Sequence, residues 1–195
     1  MKLTTRRITF AGILAAIYAA LTLAEGFLVP SLAYGTVQFR FAEALSVLCC
    51  FTPAAIPGMV VGCIVANINS TLGVWDIVLG SLATLLACLC IWKMSGSLRE
   101  ERQTDALAPE QEKAGRKRRL LTFLLIPLPT IVFNAVIVGA ELGYYFPEGR
   151  TFLAAWGING LFVAIGEAVV TYALGVPLLF WLLKNKSLSR LLRSF

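Results

Sequence analysis

The sequence predicts an all-α membrane protein, a single integral membrane domain over residues 1–195 built from six transmembrane helices. Three observations carry that expectation. Hydrophobic residues make up 58% of the 195-residue chain and charged residues only 14%, with a mean hydropathy of +0.79, far from the balance of a soluble domain. The apolar residues gather into six segments suited to crossing about 30 Å of hydrocarbon. The basic residues crowd at one end of those segments.

The first segment, 8–24, follows a basic start, MKLTTRR, that superficially resembles a secretory signal. It runs on without a convincing cleavage site, so a retained first helix is expected. The second and third, 37–52 and 54–69, are short. Phe51-Thr52-Pro53-Ala54 reads as a tight turn joining them in an antiparallel hairpin. Pro53 and Pro57 suit the first turn of the third helix, where a missing N–H costs nothing. In the fourth, 74–93, Asp76 directly precedes the apolar run IVLGSLATLL, a place for helix N-capping or for a ligand contact. The fifth and sixth, 120–140 and 156–183, carry Pro127, Pro129 and Pro177, which should kink the rods and free backbone carbonyls.

Between the fourth and fifth segments, a polar loop at about 94–119 has mixed charge and almost no apolar content, the composition of a mobile linker. The five cysteines, Cys49, Cys50, Cys63, Cys88 and Cys90, all fall in apolar runs and are expected as small packing residues. No internal repeat is evident, which weighs against an inverted-repeat transporter.

Charge placement orients the bundle. With both termini on one face, that face receives Lys2, Arg6, Arg7, eight basic residues from Lys93 to Arg119, and Lys184, Lys186, Arg190 and Arg193, fifteen of the seventeen Lys and Arg. Arg40 and Arg150 remain for the other side. A cell-membrane, multi-pass protein with both termini and the 94–119 loop in the cytoplasm is expected. The net charge of +6 is therefore a topology signal, and the cluster GRKRR at 115–119 belongs against anionic lipid rather than nucleic acid.

Polar residues inside spans are costly, so each needs a partner or a purpose. Gln38, Arg40 and Glu43 open the second helix, and Asn67 and Asn69 close the third. Asn134 and Glu141 occupy the outer half of the fifth. Trp156 and Asn159 open the sixth, with Glu167 about 16 Å below Trp156 at 1.5 Å per residue. These groups converge on the outer half while the inner halves are aliphatic, a pattern that suits a pocket open to the outside rather than a channel.

Structural roles compete with binding at several of them. Arg40 and Glu43, three apart on a helix, can pair with each other. Asn134 and Asn159 can join helices, and Glu141 can be solvated at the interface. Glu167, in FVAIGEAVVTYALG, has no neighbouring cation in sequence and is expected to face a ligand or functional partner. Helix one carries Ala11, Ala15 and Ala19 on one four-residue row and Gly12, Ala16, Ala20 and Ala24 on the next. Such a smooth strip packs either within its own bundle or against another membrane subunit. The chain has no histidine, which removes the commonest metal ligand and neutral-pH proton carrier. Neither a metal centre nor a cofactor is expected.

The stretch Tyr34 to Thr52 (YGTVQFRFAEALSVLCCFT), continued by PAAIPGMVVGCIVANINSTLGVWDIVLGSLATLLA to Ala87, resembles the QueT family, most strongly from Gln38 to Leu86. Those proteins are substrate-binding S components of energy-coupling factor (ECF) transporters, proposed to take up queuosine precursors. The resemblance implies a six-helix S-component-like bundle with a pocket near the exterior face. It also implies a membrane complex with a transmembrane coupling subunit and two cytoplasmic ATPases. Ala11, Ala15 and Ala19 fit that family's alanine-rich docking motif. The chain contains no G-x-x-x-x-G-K-[ST] sequence, so energy is expected from the partners.

The implied ligand is a 7-deazaguanine base. Its ring wants an aromatic face, for which Trp156, Tyr144, Tyr145 and Tyr34 are available. Its N1–H and exocyclic amine form a two-donor edge that a carboxylate accepts in parallel. The resemblance does not extend to the charged 94–119 loop.

The function expected is that of a high-affinity substrate-binding subunit with Glu167, Asn159, Trp156, Glu141, Asn134, Asn67, Gln38, Arg40 and Glu43 as candidate ligand contacts. One alternative is an S component for another vitamin-like nutrient, such as thiamine, riboflavin or biotin. Another is a membrane-embedded enzyme using Glu167 with Glu43 or Glu141 as acid and base, against which the missing histidine stands. A purely structural subunit would carry buried Glu167 as an unnecessary cost.

Overall fold

The structure, a computed structural model, describes residues 4–28, 39–70, 72–96 and 121–195. Gln38, Tyr34 and the loop from 97 to 119 lie outside the described residues. Among the described residues every regular element is helical: α1 (Thr5–Leu28), a 3₁₀ helix (Phe41–Cys50), α2 (Ala55–Asn67), α3 (Val74–Met94), α4 (Leu128–Tyr145), α5 (Phe152–Val170), a π-helical turn (Thr171–Gly175), α6 (Val176–Lys184) and α7 (Lys186–Arg193).

Four spans are long and apolar enough to cross a membrane: Thr5–Leu28, Val74–Met94, Leu121–Tyr145 and Phe152–Lys184. The expected hairpin is present, turning at Phe51 to Ala54 with the Ala54 N–H held by Thr52 Oγ1 at 3.2 Å. Its arms are shorter than expected. Ten residues of 3₁₀ helix and thirteen of α-helix each rise roughly 20 Å. Each arm therefore stops short of a full hydrocarbon crossing of about 30 Å. The expectation of six spans thus turns on how far this hairpin reaches into the bilayer.

The prolines act where expected, with one shift. The helical run from Leu121 breaks at Ile126 and Pro127, and α4 restarts at Leu128 with Pro129 in its first turn. Near Pro177 the ladder widens into the π turn one turn earlier, and Pro177 then opens α6.

Helices approach closely where glycine faces backbone. A Cβ on Gly58 would meet the Ala11 carbonyl at 2.8 Å, and one on Gly62 the Ala15 carbonyl at 2.9 Å. The row Ala11, Ala15, Ala19 is therefore used at least partly inside the bundle, with Ala15 and Ala19 buried, while Gly12, Ala16, Ala20 and Ala24 are exposed. Between α4 and α5, a Cβ on Gly139 would stand 2.5 Å from Gly160 Cα.

The main apolar core, including Met59, Cys63, Cys88, Ile91, Ile126 and Leu179, lies toward the end of the bundle shared by the two termini. All five cysteines are free, and four are buried. Aliphatic side chains such as Ile13, Ile17, Val132, Leu161 and Val169 are exposed on the outer surface, where only lipid could cover them without cost.

Candidate functional site

Arg40 is the centre of the polar interior. It caps the start of the 3₁₀ helix in an extended conformation (φ −75°, ψ 90°), which turns its side chain away from the helix that follows. It reaches α3 instead, where its guanidinium pairs with Asp76 Oδ1 at 3.4 Å, both side chains almost fully buried. The expected Arg40–Glu43 pair is thus replaced by Arg40–Asp76. Asp76 makes no capping hydrogen bond at the start of α3, so capping is corrected as well.

Asn67, at the end of α2, fixes the same spot by donating from Nδ2 to the Asp76 carbonyl at 3.0 Å. Gly80 leaves room for the group, since a Cβ there would lie 2.7 Å from Asn67 Nδ2 and 3.6 Å from an Arg40 nitrogen.

Glu43, completely buried, is held from two other helices. Its Oε1 accepts from the Tyr18 hydroxyl at 2.6 Å and from Thr84 Oγ1 at 3.2 Å. Glu25 on α1 accepts at 3.3 Å from the Phe41 N–H, one of the orphan donors at the start of the 3₁₀ helix. Glu167 is 1% exposed on α5. Sequence offered it no cation, but the fold does. Arg40 lies within electrostatic reach of Glu167, as it does of Glu25, Glu43 and Glu141.

Five carboxyl groups thus share the field of Arg40, and their hydrogen bonds are incomplete. Glu25 Oε1, Glu43 Oε2, Glu167 Oε2 and both oxygens of Glu141 are buried with no hydrogen-bond partner among the described residues. Asn134, 1% exposed on α4, has neither its oxygen nor its nitrogen satisfied. One such group costs about 1–3 kcal/mol when left unmade, so several in one interior are acceptors that a hydrogen-bond donor would satisfy with gain.

Two of the expected residues are engaged more locally. Asn159 donates to the Ala155 carbonyl of its own helix at 2.9 Å, and Trp156 Nε1 donates to the Val136 carbonyl at 3.1 Å, tying α5 to α4. The fold brings Arg40, Glu43, Asn67 and Glu167 into one electrostatic cluster, with Glu141 at its edge through Asp76. Sequence reasoning missed Tyr18, Glu25 and Thr84 and misread Asp76. The available signal was that a tyrosine, a threonine and an acid inside apolar helices must each find a partner.

No curated protein and no solved structure matches the chain. The family model described as QueT transporter matches residues 8–184, and with that coverage the chain belongs to the QueT transporter family, a membrane transporter rather than an enzyme family.

Proposed function

We propose that the protein is the substrate-binding S component of an ECF-type uptake transporter and that it binds a queuosine precursor of the 7-deazaguanine type. Both termini and the 94–119 loop then face the cytoplasm, where fifteen of the seventeen basic residues fall. The short hairpin completes a six-helix bundle. A transmembrane coupling subunit and two cytoplasmic ATPases supply the energy.

The observation that carries the reading is the set of buried carboxylate oxygens without partners, Glu43 Oε2 and Glu167 Oε2 foremost. A deazaguanine presents N1–H and an exocyclic amine side by side, the donors that these acceptors lack. Arg40 and Asn67, already oriented by Asp76, hold the cluster in place before the ligand arrives. Asn134 supplies one donor and one acceptor for a carbonyl and a ring N–H. A planar base would complete the wall with Trp156.

Calorimetric titration of a 7-deazaguanine into the purified protein and its Glu167→Gln variant tests this. Charge-assisted hydrogen bonds contribute about 1.5–3 kcal/mol each, so losing the one accepted by Glu167 should weaken binding by roughly one to two decades at about 1.4 kcal/mol per decade. Folding should be unchanged or slightly improved, because a buried charge is removed. Unchanged affinity would move the role to Glu43 or Glu141. Tight binding of a different vitamin-like nutrient, with no response to deazaguanines, would keep the transporter and replace the ligand.

A further inference from the structure

At the end of the bundle where the turns 68–70 and 146–151 lie, α3, α4 and α5 line an open cavity of about 650 Å³. Five aromatic side chains line it, Trp75 from α3, Tyr144 and Tyr145 from α4, and Phe152 and Trp156 from α5, beside aliphatic residues of α3 and α4. Tyr144 and Tyr145 meet edge to face at 5.4 Å, and Phe152 stacks on Trp156 at 5.9 Å, so the rings stand as two pairs. An acid, Glu141, is among its lining residues, 3% exposed, with both carboxylate oxygens unpartnered among the described residues. Arg40 is within its electrostatic reach but is already paired with Asp76, whose own charge also bears on Glu141.

We infer that this cavity is a subsite for a protonated primary amine carried by the transported molecule, with Glu141 as its counter-ion and the rings as its cage. The inference rests on the substrate-binding reading above and narrows it to ligands that bear an ammonium group. The chemistry selects that group over its competitors. A buried carboxylate with two bare oxygens needs N–H donors, and a primary ammonium brings three. The ring faces attract the same positive charge. A quaternary ammonium, as in a choline headgroup, would meet the rings but leave both oxygens unsatisfied. A divalent cation would want roughly six or more oxygen ligands, and besides Glu141 the side chains lining the cavity carry only two phenolic oxygens, those of Tyr144 and Tyr145. A neutral substituent would leave the charge of Glu141 uncompensated. The Trp156 N–H is committed to the Val136 carbonyl, so what the indole offers is its face.

The test compares two deazaguanines that differ in one substituent, 7-aminomethyl and 7-cyano, by calorimetry on the full-length detergent-solubilised protein. The aminomethyl compound should bind about ten- to a hundredfold more tightly, the worth of one charge-assisted contact. Glu141→Gln should erase that preference, costing the aminomethyl compound about ten- to a hundredfold more affinity than it costs the cyano compound. Equal affinity of the wild-type protein for both compounds, or a preference that survives Glu141→Gln, overturns the subsite.

If neither deazaguanine binds, the ligand assignment above fails, and the subsite is judged separately with benzylamine and benzyl alcohol. Trp75 and Trp156 line the cavity, so occupancy changes tryptophan fluorescence. Saturable quenching by benzylamine alone, lost in Glu141→Gln, supports the subsite; matching responses to amine and alcohol overturn it.

Discussion

Arg40 has five carboxyl groups in its field and makes its ion pair with one of them, Asp76. Removing one member of such a buried pair leaves the other uncompensated, which costs about 3–5 kcal/mol, whereas replacing both by apolar side chains is often close to neutral. Arg40→Met, which takes the cation from all five, should lower the unfolding free energy of the detergent-solubilised protein by about that amount, Asp76→Leu should cost less because four acids remain near Arg40, and the double variant should lose less than the sum of the two. Additive losses would show that the two residues do not stabilise through each other. What the sequence revealed about the site divides along the same line. Arg40, Glu43, Asn67 and Glu167 were legible because a charge or amide inside an apolar run is conspicuous in one dimension. Their partners were not. The Arg40–Glu43 pairing follows from helical spacing, but Arg40 sits outside the helix in extended backbone, and its pair lies thirty-six residues away on α3. Tyr18, Glu25 and Thr84 sit in alanine- and leucine-rich stretches, so they read as filler until the fold sets Tyr18 and Thr84 against Glu43 and Glu25 against the start of the 3₁₀ helix.

Helix spacing in this bundle is set by glycines rather than by large side chains, as expected where apolarity alone does not drive association. Gly139 and Gly157 make a clean contrast. A Cβ on Gly139 would stand 2.5 Å from backbone Cα of Gly160 and cannot be relieved by a rotamer change, whereas one on Gly157 meets nothing within 4 Å. Gly139→Ala should therefore destabilise by about 1–3 kcal/mol. Gly157→Ala should be neutral or stabilising by about 0.5–1 kcal/mol, the usual gain for Ala over Gly in a helix. Thermal unfolding of the two variants in the same detergent measures the difference; equal midpoints would mean that α4 and α5 are free to move apart. The long spans were readable because crossing a bilayer demands length and apolarity, both of which a sequence displays. The 3₁₀ run was not, since ten residues exceed the usual extent of that helix and FAEALSVLCC has no residue signature against α. The π turn beside it was equally hidden. These two irregular elements pack together, with Gly175 set against Ala44 and Val47, so each departure from α geometry is stabilised by tertiary contact rather than by local propensity.

Across the whole molecule the polar cluster and the apolar core divide the bundle, and on the function proposed above a ligand held at one end would have to be communicated sideways to a coupling subunit. The α1–α2 face offers a place for that contact. A groove of about 290 Å³ runs there, lined by Ala11, Gly12, Ala15, Ala54, Pro57 and Val61. Ala11 and Ala15 thus have two roles: their carbonyls touch Gly58 and Gly62 of α2, and their side chains form the groove wall. That double role confounds the obvious substitution, because Ala15→Trp disturbs α1–α2 packing as well as the groove and should lower stability together with assembly. Gly12 separates the two effects. It lines the groove, it is exposed, and a Cβ there meets nothing within 4 Å. Gly12→Leu should therefore fold as well as the parent and bind ligand within about twofold of its affinity, while filling the space into which another helix would have to settle. Copurification with a tagged coupling subunit from membranes expressing both should fall to background. Normal copurification of Gly12→Leu would make the groove a lipid-filled seam and move the contact with the coupling subunit to another face of the bundle.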